Sequence, residues 1–587
     1  MSLHANLPPF SVAGVRTALA SLTALDNVIL VLCTSSVRHP FFPGFSVVLN
    51  RFTQAAYMLF KCYEPQAPLP VFLLLVGLPA FLAIPLSSTL SSTTLGIFLA
   101  FASLNALILL YTVAYRLSPL HPLAKFPGPA HARVSKWWSA YVCARGYQHL
   151  YYKSLHDRYA SDVVRVGPNE LSMMDVSAIP DVLGPHGLPK GPWWDHRPKP
   201  LFLIAVRDPA QHAHQRRAWN RAFTNAALKE YEVPLAKRVQ QLVSALDDIV
   251  VAQGKCATVD LAAWFSYFAT DFMGDMAFGG GFELMADEGD EKGVWHIFES
   301  GIKSSAILSH ASWSIRYMLS LPGPGRRNIV RMRQFGATSV KSRLAMGPNR
   351  KDLFYYLVRS SGEDADSAKS SNVATEGILA IVAGSDTTST TLSVLFYYLV
   401  QNPAVYERLK AEVDATFPGN QDPLDVAKLS RMEWLNSCIN EALRLHPPVA
   451  SGSQRSVPPG SGPRVLGEHV VPDQTQVFIH TYSVQRDPRN FSQPDLFLPQ
   501  RWLSDQEKTL ELPKHNAAAF IPFAYGPANC AGKNLALLEM RMLTCWVLLK
   551  FDVRKSEQRD ITGWANALQD FFVTRKGPLW VNVVTRQ

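Results

Sequence analysis

Cys530 lies in the stretch FAYGPANCAG, Phe523 to Gly532. Gly526 and Pro527 fit a tight turn. Gly532 removes a side chain from beside the sulfur. The run after it carries Leu535, Leu538, Met542, Trp546 and Leu549 at helical spacing. The thiol therefore leads into a helix, where backbone N–H groups and the positive helix end favour a thiolate. A thiolate in a glycine-shaped pocket, with Phe523 beside it, suits a metal ligand. It also suits a nucleophile, which would need a histidine base. His515 and other histidines exist, and no sequence feature assigns one.

A second group breaks the rules of its surroundings. ILAIVAGSDTTSTTLSVLFYYLVQNP, residues 378 to 403, is apolar on both flanks and ends at Pro403. The flanks predict one long buried helix. In its middle stand Ala383, Gly384, Ser385, Asp386, Thr387 and Thr388. A glycine inside a helix costs about 1 kcal/mol relative to alanine, and buried polar groups need partners. Such joint rule-breaking marks function. An acid beside an alcohol in a bent, buried helix suits proton delivery; the plainer reading is a helix break with capping residues.

Two further motifs look architectural. Glu441 and Arg444 in NEALRLHPP are spaced to share a helix face. Leu435, Cys438, Ile439, Ala442 and Leu443 place that face against a core, whereas a bare surface pair would contribute little. Arg501, among the apolar residues of FLPQRWL, could complete a Glu441–Arg444–Arg501 network.

The elements ahead of these motifs set where they work. The chain has 587 residues, 48% of them hydrophobic, which supports a large core. Its formal charge is +10. No dense Lys/Arg run or base-reading motif occurs, so an anionic membrane or an acidic protein fits this charge better than nucleic acid. Seven cysteines with no CxxC pair argue against a disulfide framework or a zinc site and suit a reducing compartment. From Pro65 to Tyr115 no residue is charged. Leu95 to Tyr115 matches a bilayer core in length. Leu69 to Leu86 is a second candidate span, weakened by Pro70, Pro79 and Pro85, and residues 17–37 are a third, interrupted by Asp26. Residues 1–116 are thus expected to anchor the chain through one to three transmembrane helices. The absence of a basic n-region and a late apolar run argue against a cleaved signal peptide. Arg116, Lys125, Arg133 and Lys136 follow the last span and place what comes after on the cytosolic side. Prolines 119, 122, 127 and 129 make 117–130 a stiff linker, leaving 131–587 as the catalytic unit. SSGEDADSAKSSN (360–372) reads as a polar loop.

The four motifs, in this order, resemble the cytochrome P450 family over roughly residues 125 to 585. AGSDTT resembles its oxygen-activating helix, EALR its ExxR helix, PQRW the element after it, and FAYGPANCAG its cysteine loop. The resemblance implies a mainly α fold with small β-sheets, an α+β class, behind N-terminal transmembrane helices. It implies haem b (iron protoporphyrin IX) ligated by Cys530, with Phe523, Gly526, Gly532, Ala383 and Gly384 against it. Arg216 and His212, in DPAQHAHQRRAWNRAF, stand where the family's propionate-binding Arg and Trp stand, and Arg455 looks like another propionate partner. Ala528 occupies a place where the family often has an Arg, so propionate anchoring is expected to rest on Arg216, His212 and Arg455. Asp386 and Thr387 are expected to organise protons on the oxygen-activating face.

The implied activity is a monooxygenase inserting one atom of O2 into a lipophilic substrate. Electrons would come from a separate membrane-bound NADPH-cytochrome P450 reductase, since no GxGxxG site or flavin domain is visible; Lys533 and Arg541 suit an acidic docking partner. An endoplasmic reticulum membrane with a cytosolic catalytic domain follows by the same resemblance. Trp193 and Trp194, in GPWWDHRPKPLFLIAV, lie where family members line the substrate pocket. The N-terminal region and GPANCAGKN look like filamentous-fungal members, many of which tailor terpenoids or polyketides. A haem-thiolate isomerase or dehydratase, and a non-catalytic haem- or ligand-binding membrane protein, remain as alternatives. The intact Asp386–Thr387 pair argues against the first, which has no need of proton delivery to dioxygen.

Overall fold

The computed structural model describes residues 43–63, 68–347, 350–359, 370–504 and 515–586. The chain divides into two compact units, Met1–Val134 and Ser135–Gln587. The apolar segment expected over 17–37, and most of the polar stretch 360–372, lie outside the described residues.

The first unit contains helices α1 (Pro43–Tyr63), α2 (Leu78–Leu90) and α3 (Thr93–Leu117). The stretches Leu69–Leu90 and Thr93–Leu117 are long and apolar enough to cross a membrane. The prolines of the first stretch do not break it. A widened turn over Leu73–Gly77 precedes Pro79, with the Leu78 N–H reaching back to the Leu73 carbonyl, and Pro85 stays inside α2. Such adjustments let a helix absorb a missing N–H. Gly96 permits the α2–α3 crossing, since a Cβ there would lie 2.7 Å from the Ser87 backbone. Small residues at a crossing are how apolar helices pack where water does not drive them together. The outer faces carry exposed Leu69, Phe72, Phe81, Ile84, Phe98 and Leu109.

The second unit is mostly helical around small sheets. Strands β1 (Val163–Gly167), β2 (Glu170–Met173), β3 (Arg455–Ser456) and β4 (Gln476–Ile479) form one sheet in the order β1-β2-β4-β3. Its β2–β4 pair is parallel and the others are antiparallel. β5 (Gln569–Phe571) and β6 (Val573–Arg575) form a hairpin turning at Phe572. The helices that frame the site are α4 (Pro209–Ala222), α5 (Leu261–Phe278), α6 (Val294–Ser309), α7 (Ser370–Gln401), α8 (Glu433–Leu445) and α9 (Lys533–Lys550).

α7 is the spine. It too is apolar enough to cross a membrane, but two-thirds of its most apolar window (67%) is buried, so its apolarity serves the core. α5 packs along it, with Phe265 and Phe396 rings 5.2 Å apart and Ser385 Oγ donating to the Ala269 carbonyl. The polar knot is held within one continuous helix: Thr387 Oγ1 donates to the Ala383 carbonyl at 2.6 Å and Thr391 Oγ1 to the Thr387 carbonyl at 2.9 Å. Side-chain bonds to the preceding turn satisfy these hydroxyls without a break.

Candidate active site

Cys530 is placed by its loop. Its N–H donates to the Phe523 carbonyl at 2.9 Å, and the Asn529 N–H to the Gly526 carbonyl at 3.1 Å. Gly526 has φ +72°, and a Cβ there would lie 2.1 Å from the Leu183 carbonyl oxygen, so this turn requires glycine. Gly532 precedes α9, and a Cβ there would meet only Phe223, at an ordinary 3.7 Å. Crowding within the protein therefore does not account for that glycine.

The thiol faces a cavity of about 390 Å³. Cys530 presents accessible surface, yet protein closes round it, as fits a side chain lining an interior space. Burial pushes its pKa up, against the backbone N–H of Gly532 and Lys533 and the charges of Arg216 and Lys533. Phe523, Ala528 and Gly532 share its wall, while Ala383, Gly384, Thr387 and Thr388 of α7 form another part. Trp193, Trp194, Phe572 and Ile302 give the lining an apolar, aromatic character.

Asp386 is not in that wall. Burial raises its pKa to about 6, while Lys576 lowers it and Glu299 raises it. Lys576 Nζ donates to Ser389 Oγ at 2.8 Å, one turn along α7 from Asp386. Lys576, Arg575, Glu299, Trp295 and His296 line a separate pocket of about 600 Å³. The structure thus brings Thr387 to the cavity and leaves Asp386 outside its wall, under the influence of Lys576, Glu299 and Arg575 of the second pocket.

His212, Arg216 and Arg455 line the cavity together, and Lys190, which sequence reasoning passed over, joins them. Arg216 donates to the Asn529 carbonyl at 2.6 Å and Oδ1 at 3.0 Å. Arg455 donates to the Leu188 carbonyl at 3.1 Å, and its Nε is buried with no hydrogen-bond partner. The cluster is electrostatically unrelieved. Burial, with Arg455 and Arg216, pushes Lys190 down to about 7; burial, with Lys190, Arg216 and Arg455, pushes His212 down to about 4. Among the described residues, the carboxylate that acts on the cluster is Glu376, on Lys190. Glu376 is already committed to the Leu203 N–H (2.9 Å) and the Trp219 indole (3.0 Å), and burial raises its pKa to about 7. It holds α4 and the segment after Trp194 against α7.

These residues fit haem. A lone thiol and a cation cluster with an orphaned guanidinium nitrogen border one cavity, as an iron with two propionates would require. A nucleophile fits poorly. His212 is the histidine among the cavity's lining residues, and a base near pKa 4 does not take a thiol proton. His515 instead packs on Trp502, with ring centres 5.0 Å apart.

The Glu441 network lies outside the cavity and is fully buried. Arg444 donates to Glu441 at 2.9 and 2.8 Å, Arg501 Nε at 3.1 Å, the Trp502 indole at 2.9 Å and the Leu498 N–H at 3.0 Å. The guanidiniums also reach the carbonyls of Gln485, Pro494, Leu496 and Ser492. Lys533 is exposed, while Arg541 is partly buried and donates to Asn436 at 2.7 Å, so the two differ in access to a partner.

Comparison with known proteins agrees with this geometry. The cytochrome P450 family model matches residues 133–579. Cytochrome P450 monooxygenase FCK2 of Fusarium pseudograminearum is 33% identical over 473 residues, covering 79% of this chain and 82% of that protein. Cytochrome P450 67 of Uromyces fabae is 30% identical over 88% of this chain and 95% of its own length. Cytochrome P450 monooxygenase aba2 of Botryotinia fuckeliana is 32% identical over 74% and 83%. Membership implies a cysteine-ligated haem iron, dioxygen, a redox partner and a substrate. The chain belongs to the cytochrome P450 family of monooxygenases.

Proposed function

We propose that the protein is a membrane-anchored haem-thiolate monooxygenase oxidising a lipophilic small molecule, with Cys530 as the residue that would ligate the iron of haem b. The carrying observation is one cavity that joins the Cys530 loop, the Thr387 face of α7 and an aromatic wall. Bound haem with a thiolate ligand supplies dioxygen activation and oxygen insertion. The chain's own residues do the rest. Lys190, Arg216 and Arg455 would neutralise the carboxylates of the cofactor, with His212 as a hydrogen-bonding neighbour. Trp193, Trp194 and Phe572 exclude water and hold the substrate. Thr387 presents a hydroxyl to the cavity and Asp386, one residue before it on α7 and outside the cavity wall, supplies it with protons.

Residues 1–116 act as the anchor, 117–130 as linker and 131–587 as the catalytic domain. The two apolar helices with exposed Leu, Ile and Phe side chains support this reading. The division between Val134 and Ser135 lies near the last boundary. The proposed location is the endoplasmic reticulum with the catalytic unit cytosolic, taking electrons from an NADPH-cytochrome P450 reductase. The relatives' fungal sources favour a role in secondary metabolism, on terpenoids or polyketides.

A carbon monoxide difference spectrum of reduced membranes, for wild type and Cys530→Ala, tests the reading. A strongly red-shifted Soret band lost in the variant is expected. Its absence from haem-replete wild type would remove the mechanism. Substrate- and reductase-dependent NADPH consumption then separates a monooxygenase from an isomerase or a mere binder.

A further inference from the structure

One cation of the cavity wall stands outside the cluster that the cofactor's carboxylates would neutralise. Arg197 lines the cavity and is enclosed by protein. It donates to Ser305 Oγ and, at 2.7 Å, to Ser309 Oγ, both on α6. Its guanidinium carbon lies 5.1 Å from the Trp193 ring centre and 5.0 Å from that of Trp194. Hydroxyls and ring faces ease its burial but bring no negative charge. Two of the fork's five N–H donors are thus used, and Nε is buried with no hydrogen-bond partner among the described residues.

No carboxylate among the described residues compensates it. Among the described residues burial alone acts on Arg197, lowering its pKa to about 10, so it stays charged at neutral pH. Arg216 and Arg455 act on both Lys190 and His212, and Arg197 acts on neither, which sets it apart from their cluster. A buried charge without a counter-charge is costly. The cost is relieved if the working complex supplies the anion. Ser305, Ile302 and Ala306 continue the cavity wall beside it.

We propose that Arg197 is a substrate anchor: the substrate is a lipophilic molecule bearing a carboxylate, held by the Arg197 fork beside Ser305, with its apolar body along Trp193, Trp194 and Phe572. This rests on the monooxygenase reading and narrows its substrate class. A carboxylate accepts the paired N–H groups of a guanidinium with matching geometry, and an ester or alcohol of the same skeleton leaves the charge unanswered.

Calorimetric titration of the full-length holoprotein with dodecanoic acid, abietic acid and the methyl ester of each tests this. At least one acid is expected to bind roughly ten- to a hundredfold tighter than its ester, the range of a charge-assisted hydrogen bond. Arg197→Gln should abolish that preference while the carbon monoxide band persists. No acid exceeding its ester, or a preference surviving Arg197→Gln, overturns the proposal. If Arg197→Gln yields no haem protein, Arg197→Lys decides, a weakened preference supporting the anchor and an unchanged one refuting it. Calorimetry reads the acid-to-ester ratio whether or not wild type shows the thiolate band, so failure of the anchor and failure of the haem-thiolate reading are distinguishable.

Discussion

Asp386 and Thr387 are neighbours in sequence, and the turn of one helix, roughly 100° per residue, points them in different directions. Thr387 lines the large cavity, and Asp386 responds to Lys576, Glu299 and Arg575 on the side of the second pocket. Asp386→Asn is expected to lower product formation roughly a hundredfold, the scale of a lost general acid, with the carbon monoxide spectrum unchanged. Full turnover in that variant would free Asp386 of any proton role.

The pH dependence of the same step follows from charge. With burial setting the pKa of Asp386 at about 6, its protonated fraction falls as pH rises through that value. Turnover limited by this proton falls with it. Lys576 holds the pKa down, so Lys576→Met should move the fall to higher pH. A pH–rate profile that stays in place would disconnect Lys576 from the step. The stability sign is separate: a carboxyl with a raised folded pKa favours folding below its unfolded value and loses that contribution as pH rises through the folded one. Asp386→Asn should therefore gain in relative stability from pH 5 to pH 8, read by thermal melting.

The buried Glu441 network makes a different prediction. Burial alone would raise the pKa of Glu441, but Arg444, Arg501 and the Leu498 N–H lower it overall. Its stabilising share is therefore present above the ordinary carboxylate range and lost as pH falls through the lowered folded value. Glu441→Gln leaves two buried guanidiniums without their anion, an expected loss of about 3–5 kcal/mol. Thermal unfolding near neutral pH, or failure to accumulate haem protein, checks it. A melting temperature within a degree or two of wild type would refute it.

These motifs were legible in sequence because each combines unusual residue types at short range. Glu441 and Arg444 are three residues apart on a one-sided apolar helix, and the Cys530 loop is contiguous. What the sequence did not carry is direction and distance. Helical rotation, not adjacency, separates Asp386 from Thr387. Lys576 reaches α7 from 187 residues away at Ser389. Glu376 looks like any acid at a helix start, yet it fastens Trp219 and Leu203, 157 and 173 residues away in sequence. Arg197 lay within the Trp193–Trp194 stretch but, flanked by Asp195, His196 and Lys199, carried no signal of its own. Only the absence of a folded carboxylate partner gave it meaning.

The two glycines of the loop separate crowding by protein from crowding by cofactor. At Gly526 a Cβ would strike the Leu183 backbone oxygen, and φ +72° is already unfavourable for other residues. Gly526→Ala is expected to cost on the order of 1–3 kcal/mol or more of stability, cofactor present or not. Gly532→Ala meets only ordinary contact with Phe223. It should leave the melting of haem-free protein within about 0.5 kcal/mol of wild type, and any loss should appear as lowered haem content alone. Equal destabilisation of the haem-free protein by both variants would contradict this division.

The cation cluster gives the last test. Ala528 supplies no charge from the cysteine loop, so Lys190, His212, Arg216 and Arg455 must answer two propionates. Arg455 has the strongest claim: it is buried, and among the described residues its Nε has no partner and no acid offsets the burial that lowers its pKa to about 10. Arg216 already spends two donors on Asn529. Arg455→Met is therefore expected to speed haem loss roughly ten- to a hundredfold, the range of one charge-assisted hydrogen bond, and Arg216→Met by less. Haem transfer to an excess of apomyoglobin measures both rates. The reverse order would make Arg216 the principal anchor and leave Arg455 as a fastening of β3 to the Leu188 carbonyl.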